Sequence, residues 1–245
     1  MTGWLAPVVD ALETVADPCP FFFRDDDAGW DDAALLALLD EFEAAGVAVD
    51  VAAIPLALSH SGARHVVARL DSCLVHVHQH GYAHVDHERA GRKCEFGISR
   101  SVAAQTADVR VGRARLEDVL GRRIEPVFTP PWNRCSPATV DAVMAAGHRV
   151  LSRDHTAGRL GRPGLAEVPV TVDWSARHGG VPVTAEERGR AIAEGVLAGG
   201  PVGVMLHHAL IDAAERAEVR RLLDLVATSS RTVSTTILGL TETVP

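Results

Sequence analysis

Leu74-Val-His-Val-His-Gln-His-Gly-Tyr-Ala-His84 carries four histidines within nine residues, at the end of a predicted strand. The last two, His80 and His84, are four positions apart, so both imidazoles can reach one ion from the same face of a turn. A second cluster, Phe21-Phe-Phe-Arg-Asp-Asp-Asp-Ala-Gly29, places three aspartates after another apolar run. Two histidines and one aspartate at strand ends predict a three-ligand metal site. Such a site keeps a position open for water, as catalytic centres do.

Apolar, β-branched segments alternate along the chain with amphipathic segments rich in Ala and Leu. This alternation predicts an α/β fold with a parallel sheet. A length of 245 residues suits one α/β barrel, although an open doubly wound sheet shows the same alternation. We predict one domain over residues 1–245. The predicted strands are Phe21–Arg24, Val47–Ile54, Leu74–Gln79, Pro126–Thr129, His148–Ser152, Val168–Val172, Val202–Leu206 and Thr232–Leu238.

Capping residues and terminal glycines mark the ends of the intervening helices. Polar and aromatic residues follow several predicted strands, and the carboxyl ends of strands are where barrels and open sheets place ligands. The predicted helices run from Asp31 or Asp32 to Gly46, over Ser101–Leu120, from Ser136 to Gly147, from Thr184 onward, and over Asp212–Ala227. The residues that follow strands are Asp25–Asp27, His80, Pro130–Trp132, Asp173–Trp174 and His207–His208.

The composition excludes several functional classes. The net charge is −8 and the chain has no dense Lys/Arg run, which argues against a nucleic-acid-binding protein. No apolar stretch reaches the roughly 18 residues that span a bilayer. The first residues lack a basic region before an apolar one, so we expect a cytoplasmic protein without a signal peptide. The four cysteines form no CxxC pair, and a disulfide framework or thiolate zinc site is not expected.

The remaining histidines leave alternatives open. His76 and His78 share a strand face with His80, and we expect them in the core or around the site rather than as ligands. His87 is expected on the surface. His207 leaves an apolar strand at the functional end of the sheet, where a histidine is either a proton donor or a satisfied core residue.

Taken in order, these motifs resemble those of the polysaccharide deacetylases with a NodB-homology domain (carbohydrate esterase family 4), and most closely a WbmS-like branch associated with surface polysaccharides. The resemblance runs from about Phe21 to His208. Gly81 replaces a hydroxyl residue of the family, and Thr129 replaces its arginine, for which Arg24, Asn133 or Arg134 are candidate substitutes. The matching motifs are Asp26-Asp27 (with Asp25-Asp26 as another register), His80-Gly-Tyr-Ala-His84, Thr129-Pro130-Pro131-Trp132, Asp173-Trp174 and Met205-Leu206-His207.

The resemblance implies a distorted (β/α) barrel of about seven parallel strands. It also implies a metal-dependent hydrolase that removes an N-acetyl group from an amino sugar of a surface polysaccharide or its precursor. Asp27, His80 and His84 would hold one divalent ion. Zn²⁺ suits two imidazoles and a carboxylate best, and Co²⁺, Ni²⁺ and Fe²⁺ are alternatives. Alternatives are a metal-dependent amidohydrolase of small amides or imides, and a metal-binding module with impaired catalysis.

The resemblance further implies a division of roles. Asp26 would act as the base, the Trp132 backbone N–H would stabilise the oxyanion, and His207 would be the acid. Asp173 would hold His207 in its charged form, and Trp174 would wall the acetyl pocket. The residues implied to bind substrate or support the site are Asp25, Tyr82, Pro131, Asn133, Arg134, Asp173, Trp174 and His208.

Overall fold

The computed structural model describes residues 3–70, 72–122 and 124–242. The strands are β1 (Cys19–Ala28), β2 (Val49–Ala53), β3 (Val75–His80), β4 (Val127–Thr129), β5 (Val150–Leu151), β6 (Ala166–Glu167), β7 (Val172–Asp173), β8 (Arg177–His178), β9 (Val181–Pro182), β10 (Val202–Leu206) and β11 (Thr232–Ser234). The helices are α1 (Ala6–Thr14), α2 (Asp32–Ala45), α3 (His60–Leu70), α4 (Val102–Leu120), α5 (Pro137–Ala145), α6 (Ala185–Ala198), α7 (Ala213–Thr228) and α8 (Gly239–Glu242). Short 3₁₀ turns lie at Pro131–Asn133, His155–Ala157 and His208–Leu210.

One curled parallel sheet contains all the strands except the β8–β9 hairpin. Its order is β6-β5-β4-β3-β2-β1-β10-β7, with β11 beside the start of β1. Between β6 and β7 the chain stays extended: the N–H of Val170 donates to Arg153 O, and the next N–H, of Thr171, donates to Gly203 O. One segment therefore joins β5 on one side to β10 on the other, and the sheet forms a distorted (β/α) barrel, as predicted.

The alternation of side chains along β1 separates two apolar cores. Phe21 and Phe23 face the helices outside the sheet, whereas Phe22 faces the barrel interior with Met205 and Ile237. A strand buried on both faces has a nearly continuous apolar sequence, as the three phenylalanines show. Toward the carboxyl end of β1, the inward positions become Arg24 and Asp26. The barrel interior is therefore apolar around Phe22 and polar at the carboxyl edge of the sheet, which carries the site.

The predicted elements agree closely with the structure where local signals are strong. The Asp31 side chain accepts a hydrogen bond from Ala34 N, and Gly46 ends α2 with left-handed dihedral angles. The predicted strand Val168–Val172 differs from the structure. Most of this segment is the extended link, and the regular strands β6 and β7 lie at its two ends. Helices α1, α3 and α8 were not predicted. No helix in the described ranges is long and apolar enough to cross a membrane.

Candidate metal centre and active site

Asp27, His80 and His84 come together at the carboxyl edge of the barrel. Their ligand atoms all lie within 4.8 Å of one another, and Nε2 of each histidine is 3.2 Å from Asp27 Oδ1. That oxygen is buried and accepts no hydrogen bond in the described part of the chain. His80 Nδ1 lies 3.0 Å from the Thr129 carbonyl oxygen, which makes Nδ1 the protonated nitrogen and leaves the Nε2 lone pair for a metal ion. The donor set fits a divalent ion of the zinc type.

Parallel strand order explains why these residues meet. Asp27 lies near the end of β1 and His80 ends β3, with β2 between them. Positive φ angles occur at Asp27 (72°), His84 (57°), Trp132 (55°) and Asn133 (58°), and all four residues surround the site. Non-glycine residues in this region are strained, and such strain clusters at functional sites.

The turn between His80 and His84 is fixed by a buried carboxylate. Glu95 accepts hydrogen bonds from Tyr82 N at 3.1 Å and from Ala83 N at 2.7 Å. Gly81 has a φ of 57°, and a Cβ there would collide with the Glu95 carboxylate and lie 2.5 Å from Pro131 Cδ. Glycine is therefore required where the related motif has a hydroxyl residue. Sequence analysis missed Glu95, which comes from a separate loop.

Asp26 is held by Arg24, two residues earlier on the same face of β1. Arg24 Nε donates to Asp26 Oδ1 at 2.8 Å, and Nη2 donates to Oδ2 at 2.9 Å. Both side chains are buried. Burial alone would raise the pKa of Asp26, but the positive charge of Arg24, aided by His80 and His207, lowers it to about 2. Asp26 is therefore an ionised carboxylate at neutral pH.

The three candidate substitutes for the arginine of the third motif differ in their contacts with Asp26. Arg24 contacts the carboxylate directly, and Asn133 supports Arg24 by accepting from its Nη2 at 2.7 Å. Arg134 points elsewhere and donates to the carbonyl oxygen of Lys93 at 3.0 Å. Thr129 Oγ1 lies 2.8 Å from His78 Nε2 inside the barrel. A guanidinium group thus reaches the aspartate from a different strand.

Asp25 and His208 form a separate buried pair behind the site. Asp25 Oδ2 is 2.7 Å from His208 Nδ1, and Asp25 Oδ1 accepts from His208 N at 2.9 Å. Burial disfavours a charged imidazole, but Asp25 raises the pKa of His208 to about 9. Because Asp25 is engaged there, the geometry favours Asp26-Asp27 as the motif pair. Both side chains are buried, and a supporting role for them stays a prediction.

His207 lies on the Asp26 side of the site and is half-buried. Its Nδ1 is buried with no hydrogen-bond partner in the described ranges. Burial raises the pKa of Asp173 above its usual value, and the nearby His207 offsets part of that rise. The two side chains are therefore close enough to interact. His207 also helps to lower the pKa of Asp26. The structure thus brings His207, Asp173 and Asp26 close enough together for their charges to interact. Their chemical roles stay predictions.

Two predicted site residues, Trp174 and Tyr82, point away from the metal group. Trp174 is fully buried outside the barrel, with its ring 5.8 Å from Trp4 and 4.7 Å from the Arg188 guanidinium carbon. The prediction that it walls an acetyl pocket is wrong, because residues on a strand alternate and Asp173 takes the inward position. Tyr82 packs against an apolar cluster containing Phe96, also outside the barrel.

Aromatic side chains nevertheless border the metal group. The His84 ring lies 4.8 Å from Trp30 and 4.4 Å from Trp132, measured between ring centroids. Trp30 is 41% exposed, and sequence analysis missed it. Its position directly after the Asp-rich strand end was the available signal. These two rings give the site a flat apolar border.

No protein-family model and no curated protein matches this sequence. Solved structures do match. A Mycobacterium smegmatis protein assigned as a polysaccharide deacetylase is 16% identical with a TM-score of 0.73, over 94% of this chain and 93% of that one. A family 4 carbohydrate esterase from Streptomyces lividans, in complex with acetate, is 16% identical with a TM-score of 0.56, over 86% and 90%. A family 4 acetyl xylan esterase from Clostridium thermocellum, in complex with a cobalt ion, is 16% identical with a TM-score of 0.62, over 91% and 90%.

These likenesses extend over most of each chain. The WbmS-like branch stays a prediction. The chain has the fold of the polysaccharide deacetylases of carbohydrate esterase family 4.

Proposed function

We propose that this protein is a metal-dependent hydrolase that removes an N-acetyl group from an amino sugar of a surface polysaccharide or its precursor. The observation that carries the proposal is the juxtaposition of the Asp27, His80 and His84 group with the ionised Asp26 and with His207. The solved structures with this fold support it, since they include a carbohydrate esterase with acetate and an acetyl xylan esterase with cobalt.

Asp27, His80 and His84 would hold the ion. When bound, a divalent ion polarises a carbonyl group and makes water more acidic. Asp26 would accept the proton of the attacking water. Arg24 supplies one hydrogen bond to each oxygen of Asp26, which fixes the plane of the carboxylate and leaves lone pairs free to accept a proton. Arg24 is therefore proposed as a positioning residue.

Departure of the amine requires a proton on nitrogen, because an amide nitrogen is otherwise a poor leaving group. His207 would donate that proton, with Asp173 orienting its ring. The positive φ angles at Trp132 and Asn133 set the direction of the backbone beside the metal group. We propose that the Trp132 N–H stabilises the oxyanion, an interaction typically worth ~3 kcal/mol. Trp30 and Trp132 would face the sugar ring.

A catalytically impaired metal-binding module was an alternative because of Thr129. The contact of Arg24 with Asp26 argues against it, since the cation that the third motif lacks is supplied from β1. The amidohydrolase alternative shares the same metal group. The exposed Trp30 favours a sugar, because its flat surface can cover a pyranose ring.

The direct test is acetate release from N-acetylglucosamine oligomers and from small amides and imides. We expect acetate from the sugars by zinc-loaded protein, loss of activity after treatment with a chelator, and recovery when zinc is restored. Hydrolysis of small amides or imides with no acetate from any sugar would instead establish the amidohydrolase alternative.

A further inference from the structure

Three cationic side chains lie beside the aromatic border of the site. Lys93 Nζ is 5.9 Å from the centroid of the Trp132 ring, and that ring contacts His84. Arg134 Nη1 donates to the Lys93 carbonyl oxygen. Burial lowers the pKa of Arg134, and the neighbouring positive charge of Arg92 lowers it further. We call Arg92, Lys93 and Arg134 the cationic rim.

The side chains of the cationic rim form no close ion pair within the described ranges, residues 3–70, 72–122 and 124–242. Asp86 lies close enough to Lys93 for the two charges to interact without forming an ion pair, and its Oδ1 also accepts hydrogen bonds from the N–H groups of Glu88 and Cys94. The carboxylate of Glu88 is bound to Ser99.

The cationic rim is a local cluster of positive charge on a chain whose net charge is −8. Acidic residues outnumber Lys and Arg by 32 to 24, so the net charge of the chain is negative. Arg92 and Lys93 are exposed and contribute no ion pair to folding. Adjacent like charges repel, and an anion would relieve that repulsion. Because Trp132 contacts both Lys93 and His84, the rim begins one side chain away from the proposed metal ligands.

We propose that the cationic rim binds a negatively charged group, phosphate or carboxylate, of the N-acetylated substrate. This inference rests on the proposed deacetylase function and narrows its substrate class to anionic glycosides. Arginine pairs with both oxygens of such a group, and lysine adds a mobile point charge. A sugar phosphate or nucleotide-linked precursor carries this chemistry, and so does a polymer with uronic acid residues.

The test compares kcat/KM for four N-acetylated substrates. These are a neutral N-acetylglucosamine oligomer, N-acetylglucosamine 1-phosphate, UDP-N-acetylglucosamine and an oligomer that alternates with uronic acid. The proteins are the zinc-loaded wild type, Arg92→Gln/Lys93→Gln, and Arg221→Gln as control, because Arg221 is exposed on α7 away from the barrel edge. We expect at least one anionic substrate to exceed the neutral one by about tenfold, since charge complementarity raises association rates.

That preference should disappear in the double variant and weaken at high salt, with neutral-substrate activity and the control unchanged. The preferred anion then distinguishes a precursor from an acidic polymer. Acetate release without charge preference would overturn this inference and leave the deacetylase proposal standing. If no sugar releases acetate, the deacetylase proposal fails. Calorimetry with UDP-N-acetylglucosamine then tests anion binding by the cationic rim. Binding that is weakened only in the double variant supports the inference. Equal binding in all three proteins, or no binding in any, overturns it.

Discussion

Asp26→Asn is expected to retain the bound metal and to lose turnover by about 10²- to 10⁴-fold, the usual contribution of a general base. The amide has the shape of the carboxylate but cannot accept a proton. Asp26 is not one of the three grouped ligand residues, so metal content should stay near that of the wild type. The measurements are kcat for acetate release and metal per chain on the same preparation.

Asp50→Asn is the matched control for this variant. Asp50 is also a buried carboxyl group inside the barrel, and it accepts a hydrogen bond from Ile237 N. Burial raises its pKa to about 7, so loss of its charge should be tolerated. Turnover in Asp26→Asn equal to that of the control would show that Asp26 is not the base.

Arg24→Gln is expected to reduce both turnover and stability. Removing the guanidinium leaves the Asp26 carboxylate buried without its partner, which typically costs about 3–5 kcal/mol of unfolding free energy. Turnover should fall with it, because both hydrogen bonds that orient the carboxylate are lost. Urea denaturation and acetate release measure the two effects.

The double variant Arg24→Gln/Asp26→Asn separates the two contributions. It removes both charges, so we expect it to be more stable than Arg24→Gln alone while remaining inactive. A double variant whose stability loss equals the sum of the two single losses would contradict the direct coupling of Arg24 and Asp26.

Local signals made much of this fold predictable. The boundaries of β10 match the prediction Val202–Leu206, and Asp31 and Gly46 mark α2, because apolar runs and caps act within a few residues. The spacing of His80 and His84 identified two proposed ligands for the same reason. The single domain over residues 1–245 and the cytoplasmic location stay predictions.

Other features follow from which face of a strand a residue occupies, and the sequence interpretation did not apply that rule to every residue. Arg24 and Asp26 are two residues apart on one strand, so their contact followed from the period of two. The same rule placed Trp174 outside once Asp173 faced inward. Glu95 was different, because a long-range packing contact brings it under the His80–His84 turn. The positive φ angle at Trp132 likewise has no signature in residue type.

Elemental analysis of the purified protein tests whether Asp27, His80 and His84 hold a metal ion. His76→Ala is the control, because His76 lies on the same strand but contacts Glu125 and the Cys73 carbonyl oxygen. We predict about one transition metal per chain in the wild type and in His76→Ala, and little in His80→Ala, which lacks one of three ligands. No metal in the wild type after zinc is supplied, or full retention in His80→Ala, would contradict the account.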